Sequence, residues 1–187
     1  MSLLVLEDVA CWRGGRLLFE SLSLALAPGE AMLVTGPNGT GKSSLLRLAA
    51  GLLRPLAGRV TAAPGALADE RPALDPELAL ERSLAFWAVP SAPTPAQALD
   101  AVGLGGIAEV PVRFLSTGQL RRAALARVQV VGAPLWLLDE PANGLDTASV
   151  ERLSGLIAGH LSGGGAILAA SHQPLPGADW RTLELRP

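Results

Sequence analysis

The stretch AMLVTGPNGTGKSS, residues Ala31 to Ser44, is an apolar run that breaks into a glycine-rich loop and then resumes as LLRLAA. The loop fits G-x-x-x-x-G-K-[ST], with Gly36, Gly41, Lys42 and Ser43 at the defining positions, and the run before it predicts a strand and the run after it a helix. Small residues allow the loop Gly36, Pro37, Asn38, Gly39, Thr40, Gly41 and Lys42, continuing to Ser43 and Ser44, to curl its backbone N–H groups, which Pro37 alone lacks, around phosphate oxygens. The helix N-terminus that follows adds its positive dipole end. Lys42 is then positioned to neutralise the β- and γ-phosphates of a nucleotide, and Ser43 to hold Mg²⁺. Lys42 is also the only lysine of the chain: the fourteen other basic residues are all Arg. A glycine-rich turn capping a helix is the plain alternative for such a loop.

The rest of the composition bounds the setting. A chain of 187 residues with 49% hydrophobic and 17% charged residues has enough apolar material for a generous core. The net charge of -2 gives no electrostatic case for nucleic acid. Cys11 is the single cysteine, so no internal disulfide or cysteine-based zinc site can form, and a reducing compartment is expected. The opening MSLLVLEDVA lacks a basic n-region and alternates like a strand, so it is not expected to be a signal peptide. No apolar run reaches the roughly 18 residues of a membrane-crossing helix.

Working outward from the loop, Leu3 to Val9 and Leu22 to Ala27 predict strands, and Pro28-Gly29 a turn into the strand Ala31 to Thr35. Arg59 to Ala62 predicts a short strand. Residues Ala63 to Pro111 are punctuated by proline and read as an inserted helical arm, with helices over Glu77 to Ala88 and Pro95 to Val102. Ser116 to Val131 and Thr147 to His160 predict helices, Leu135 to Leu138 and Ala166 to Ala170 buried strands, and Arg181 to Leu185 an edge strand. Strands alternating with helices predict an α/β fold with a mainly parallel sheet flanked by helices, preceded by an antiparallel β portion, in a single domain over residues 1–187.

The strand PLWLLDE ends in Asp139 and Glu140. In a protein with a phosphate loop, an acid at the carboxyl end of a neighbouring parallel strand can reach the Mg²⁺ beside Ser43, and the next acid can face an attacking water. By itself the pair could merely solubilise a loop. Leu115 to Gln119, LSTGQ, opens the helix LRRAALAR, and Ser116 with Gln119 also spells a capping box. Here the chain resembles the ATP-binding-cassette (ABC) family, whose signature is LSGGQ, along essentially its whole length.

That resemblance implies an ATPase that binds ATP and Mg²⁺, with Glu140 as general base, Lys42 and His172 on the γ-phosphate, and Ser43 and Asp139 on the metal. It implies that Ser116, Thr117, Gly118 and Gln119 act on ATP held by a second copy, so that a homodimer shares two sites. ANGLD is similar to the family's D-loop, with Asn143 and Asp146, although Asp146 also reads as a helix N-cap. Trp12 stands where the family places an aromatic that stacks on adenine. His160, in the last turn of a helix, is read as structural, where a cation suits the helix dipole. Trp87 and Trp136 are read as core. Two departures stand out: Thr117 replaces a glycine, and the family's metal-facing glutamine after the strand following the first helix is missing, with Glu70 or Arg71 at that place.

PALDPELALERSLAFWA, PVRFLSTGQLRRAALAR, APLWLLDEPANGLD and SHQPL further resemble the ATP-binding subunits of haem exporters in bacterial cytochrome c maturation. The implied setting is the cytoplasmic face of the inner membrane, as a peripheral subunit bound to integral membrane transporter subunits, with no haem site on this chain. An ATPase of another ABC exporter, moving a drug, lipid or small ion, is the nearest competing reading, and a weakly hydrolysing nucleotide-sensing subunit is another. A GTPase is excluded, because N-K-x-D cannot exist where the sole Lys is Lys42. A tandem cassette acting on nucleic acid would need a repeat or a long coiled-coil insertion that the sequence lacks.

Overall fold

In the computed structural model, which describes residues 1–186, the chain builds two sheets. β1 (Leu4–Arg13) and β2 (Arg16–Leu26) form a long hairpin, and β4 (Ala57–Ala62) pairs with the other edge of β1 to complete an antiparallel sheet ordered β2-β1-β4. The second sheet is wholly parallel. Its strands are β3 (Ala31–Thr35), β5 (Gly65–Ala68), β6 (Leu135–Asp139), β7 (Ala166–Ala170) and β8 (Trp180–Glu184), in the order β5-β6-β7-β3-β8.

Both faces of the parallel sheet are covered, and the period-2 alternation of its strands decides which side chain goes where. Met32, Val34, Leu135, Leu137 and Leu168 point to one core, shared with Leu45, Leu46 and Leu48 of α1 (Lys42–Ala49) and with Leu4, Leu6 and Val9 of β1. Leu33, Trp136, Leu138, Ile167 and Ala169 point to the other, shared with α4 (Thr117–Val131) and α5 (Thr147–Ser162). Continuous apolar runs such as LWLL and AILAA are therefore what strands buried on both faces require. Beyond β5, α2 (Leu80–Ala85) and α3 (Pro95–Ala101) pack through Leu80, Leu84, Ala98 and Leu99 onto α4.

The predicted elements differ from the structure in three places. The first two strands are much longer than expected, because Gly14 and Gly15, both with positive φ, make the two-residue turn that suits the right-handed twist of a hairpin. The expected helical arm from Ala63 to Pro111 does not begin at Ala63: Gly65–Ala68 is β5, an edge strand of the parallel sheet registered against Leu135–Leu138. Four residues rich in alanine carry no periodic signal, so only pairing with β6 made them a strand. Trp87 is not fully buried: it is half-buried against the core, and its indole N–H donates to the Ala73 carbonyl at 3.0 Å.

Candidate functional site

The carboxyl ends of β3 and β6 open into one cleft of about 720 Å³. The loop after β3 runs Gly36 to Gly41, and α1 begins at Lys42. Two glycines are demanded by geometry: Gly36 has φ of 128° with the Leu185 carbonyl where a Cβ would go, and Gly41, with φ of 105°, packs against Phe19 and Leu18. Lys42 is 8% exposed, and its Nζ donates to the Gly36 carbonyl at 2.8 Å and the Pro37 carbonyl at 3.1 Å. The ammonium thus braces the loop from within while lining the cleft. Asn38, Gly39, Gly41, Ser43 and Ser44 line it as well; Thr40 is buried, its hydroxyl donating to the Pro37 carbonyl at 3.0 Å.

Across the cleft stand Asp139, the last residue of β6, and Glu140. Burial pushes the Asp139 carboxyl above the ordinary carboxylate range, opposed by its hydrogen bond from the Ser43 side chain and reinforced by the neighbouring Glu140 charge. A carboxylate held out of water beside a serine hydroxyl is an oxygen-donor pair suited to a hard cation. Glu140 has a φ of 50°, a left-handed conformation that costs a non-glycine residue about 1–2 kcal/mol. Its N–H donates to the Ala170 carbonyl at 2.8 Å, and its carbonyl accepts from Asn143 N–H at 3.2 Å, so the strained turn is held at both ends. His172, two residues past β7, meets Glu140: Nδ1–H donates to Oε2 at 2.9 Å, the carboxylate being acceptor-only.

The signature residues form a reciprocal cap. Gln119 N–H donates to Ser116 Oγ at 3.3 Å and Ser116 N–H to Gln119 Oε1 at 2.8 Å, which opens α4. Ser116, Thr117, Gly118 and Gln119 do not line the cleft of their own chain; Arg121, two residues on, does, and it donates to the Asn143 carbonyl. Asn143 lines the cleft, whereas Asp146 caps α5 by accepting from Ser149 N–H at 2.7 Å. Those hydrogen bonds from Ser149 hold the Asp146 carboxyl below its ordinary range.

Of the two replacements for the missing glutamine, Glu70 lines the cleft, and Arg71 does not; the Arg71 backbone instead donates to Asp69 Oδ1 at 3.0 Å. Asp69 in turn pairs with Arg47 of α1 at 3.2 Å. Trp12 is not on the cleft wall. It is 55% exposed and sits opposite Leu17 in the hairpin, while Arg13, Arg16 and Leu18 form the wall. Trp12, expected to stack on adenine, thus lies off the cleft because consecutive strand residues point to opposite faces and Arg13 takes the inner one. Sequence reasoning also missed Arg13, Arg16 and Arg121. Only the Gly14-Gly15 dipeptide, as a hairpin signal, could have placed the first two.

A family model described as ABC transporter matches residues 19–143. This chain belongs to the ABC transporter family. Over 174 residues it is 59% identical to the cytochrome c biogenesis ATP-binding export protein CcmA of Sphingopyxis alaskensis, covering 91% of this chain and 90% of that one. It is 53% identical over 185 residues to the protein of that name from Novosphingobium aromaticivorans, covering 98% and 95%. Among solved structures, a dimeric ATP-binding cassette in a post-hydrolysis state with ADP and Pi superposes with a TM-score of 0.85 at 20% identity, over 98% of this chain and 94% of that one. The ABC fold expected from the loop and the alternating strands is what the chain adopts.

In this ABC chain His160 holds a structural place, as expected, but without the charge that would suit the helix dipole. It lies in the last turn of α5, but burial lowers its pKa, and its ring stacks on Trp136 at 4.0 Å with the planes 13° apart. It is a neutral packing residue, not a cation at a helix end. Because its folded pKa lies below the unfolded value of about 6.5, the unfolded chain binds more protons in the acid range. The stability it contributes is complete above that value and is lost as pH falls through the folded pKa. Asp139, raised by burial, acts with the opposite sign but only in the carboxylate range. Melting temperatures followed from pH 7.5 down to pH 5.5 are expected to fall more steeply for the native chain than for His160→Phe, which keeps the ring stack; equal slopes would remove His160 as the cause.

Proposed function

We propose that this chain is the ATP-hydrolysing motor subunit of the membrane exporter that serves haem delivery in cytochrome c maturation. The observation that carries the chemistry is the convergence of Lys42, Ser43, Asp139 and Glu140 on one cleft at the carboxyl ends of β3 and β6, with His172 hydrogen-bonded to Glu140. The relatives named as cytochrome c biogenesis export proteins, similar along nearly the whole chain, support the cargo assignment.

The loop N–H groups from Gly36 to Ser44 cradle the phosphates, and Lys42 turns from its loop carbonyls toward the β- and γ-oxygens. Ser43 and Asp139 would hold Mg²⁺, whose charge offsets that of the phosphates. Among the described residues no cluster of three or more His, Cys, Asp or Glu is placed to hold a metal alone, which fits a cation that shares its ligands with a nucleotide. Glu140 accepts the proton of the water that attacks the γ-phosphorus in line. His172 orients that carboxylate through Nδ1 and presents its other nitrogen to the γ-phosphate. Glu70 takes the place of the glutamine on the cleft wall.

Ser116 to Gln119, capped and turned away from their own cleft, would complete the site of a second copy, so that a homodimer shares two ATP sites and Asn143 and Asp146 lie where the copies communicate. No helix among the described residues is long and apolar enough to cross a membrane. By its likeness to the cytochrome c biogenesis export proteins, the chain would act at the cytoplasmic face of the inner membrane through integral membrane subunits. Phe86, at the end of α2 and 82% exposed, and Phe114, just before α4 and 66% exposed, are large apolar side chains suited to such docking.

The test is made in cells. Deleting the gene, or substituting Glu140 in place, is expected to abolish covalently haem-bound c-type cytochromes while b-type cytochromes persist. Normal c-type cytochromes in the Glu140 variant, seen by haem staining of denatured membrane proteins, would return the chain to a cassette ATPase of other cargo.

A further inference from the structure

Beyond the phosphates, the nucleotide base must leave the loop toward the β1–β2 hairpin, and no aromatic side chain lines that part of the cleft. Arg13 pairs with Arg16 across the hairpin, and Trp12 with Leu17. Paired residues share a face and neighbours alternate, so Arg13 and Arg16 face inward together, and Trp12 and Leu17 face away.

Four guanidinium groups reach the cleft, and three of them are committed. Arg16 donates to the Gly39 carbonyl at 2.7 Å, Arg47 pairs with Asp69 at 3.2 Å, and Arg121 donates to the Asn143 carbonyl. Arg13 alone has neither an anionic partner nor a carbonyl among the described residues. Its one polar contact is a long one, Nη1 to Ser44 Oγ at 3.4 Å, which holds its head above the start of α1. Leu18, on the same inner face, supplies an apolar neighbour.

On the reading that this cleft holds ATP, we propose that Arg13 is the base-binding residue, laying its planar guanidinium on the adenine ring in the role expected of Trp12, while Arg16 locks the hairpin tip to the phosphate loop. A guanidinium stacks on an aromatic face through its own π-plane and through cation–π attraction, and it is planar where an ammonium is not. Such a plane reads no base edge, so GTP should bind about as well as ATP.

The test is isothermal titration of the full chain with ATP and with inorganic tripolyphosphate, which has phosphates but no base. Arg13→Ala is expected to weaken ATP binding about tenfold or more, the scale of losing one base stack, and to leave tripolyphosphate binding unchanged. Arg13→Tyr, which restores a plane without charge, should recover most of the ATP affinity; Arg13→Lys, charge without a plane, should not. Trp12→Ala should bind ATP like the native chain, and ligand-free melting of each variant separates folding from binding. An equal loss for tripolyphosphate, rescue by Lys in place of Tyr, or a loss that follows Trp12→Ala overturns the proposal. Lys42→Ala serves as the control: if it leaves both ligands bound as before, the cleft itself has been misassigned, which is a different failure.

Discussion

Glu140→Gln is expected to bind ATP normally and to hydrolyse it about 10²-fold more slowly or worse, the usual scale for losing a positioned general base. The amide has the shape of the carboxylate and can still accept from His172 Nδ1, now at 2.9 Å, so the turn after β6 need not rearrange. It cannot take a proton from water. The effect should therefore lie in turnover and not in affinity, the signature of an interaction realised only in the transition state. Steady-state phosphate release with parallel nucleotide titration separates the two. Turnover within a few-fold of native would move the base to another residue, with Glu70 on the same wall as the first to examine.

Lys42→Ala should fail earlier, at binding. Lys42 is 8% exposed, and its ammonium is already directed into the loop by the Gly36 and Pro37 carbonyls. Replacing those contacts by phosphate oxygens costs little reorganisation, whereas removing the amine leaves phosphate charge unbalanced in a confined site. A hydrogen bond to a charged group contributes about 1.5–3 kcal/mol, which corresponds to roughly 10- to 150-fold in ATP affinity. Calorimetric titration reads this directly. Near-native affinity would mean that the backbone N–H groups and the helix N-terminus carry the phosphates alone.

These two variants also divide the molecule into parts that differ in how readable they were. Gly36 to Ser44, Asp139 with Glu140, and Ser116 with Gln119 carry their geometry in local chemistry. Positive φ needs glycine at Gly36 and Gly41, a helix start needs its orphan N–H groups satisfied, and a doubly buried strand needs an unbroken apolar run. Each requirement acts within a few residues, so each leaves a pattern in the chain. The strands Ala31–Thr35, Leu135–Asp139 and Ala166–Ala170 followed from the same logic.

Other features depend on residues far apart in the chain, and no local pattern could reveal them. Gly65–Ala68 became a strand only because β6 offered an open edge to pair with. That His160 is structural is legible from its place in the helix, but that it packs as a neutral ring is not: Trp136, far from it in the chain, supplies the ring it stacks on, and burial removes the water that would solvate a charge. The meeting of His172 with Glu140 at 2.9 Å depends on β7 lying next to β6 in the sheet. Most tellingly, Trp12 and Arg13 are neighbours in sequence and opposite in space. By itself the sequence determined that a nucleotide loop, its acids and its signature helix were present; which face of the hairpin meets the cleft was decided only by the cross-strand register, because in a strand a shift of one residue exchanges inside for outside.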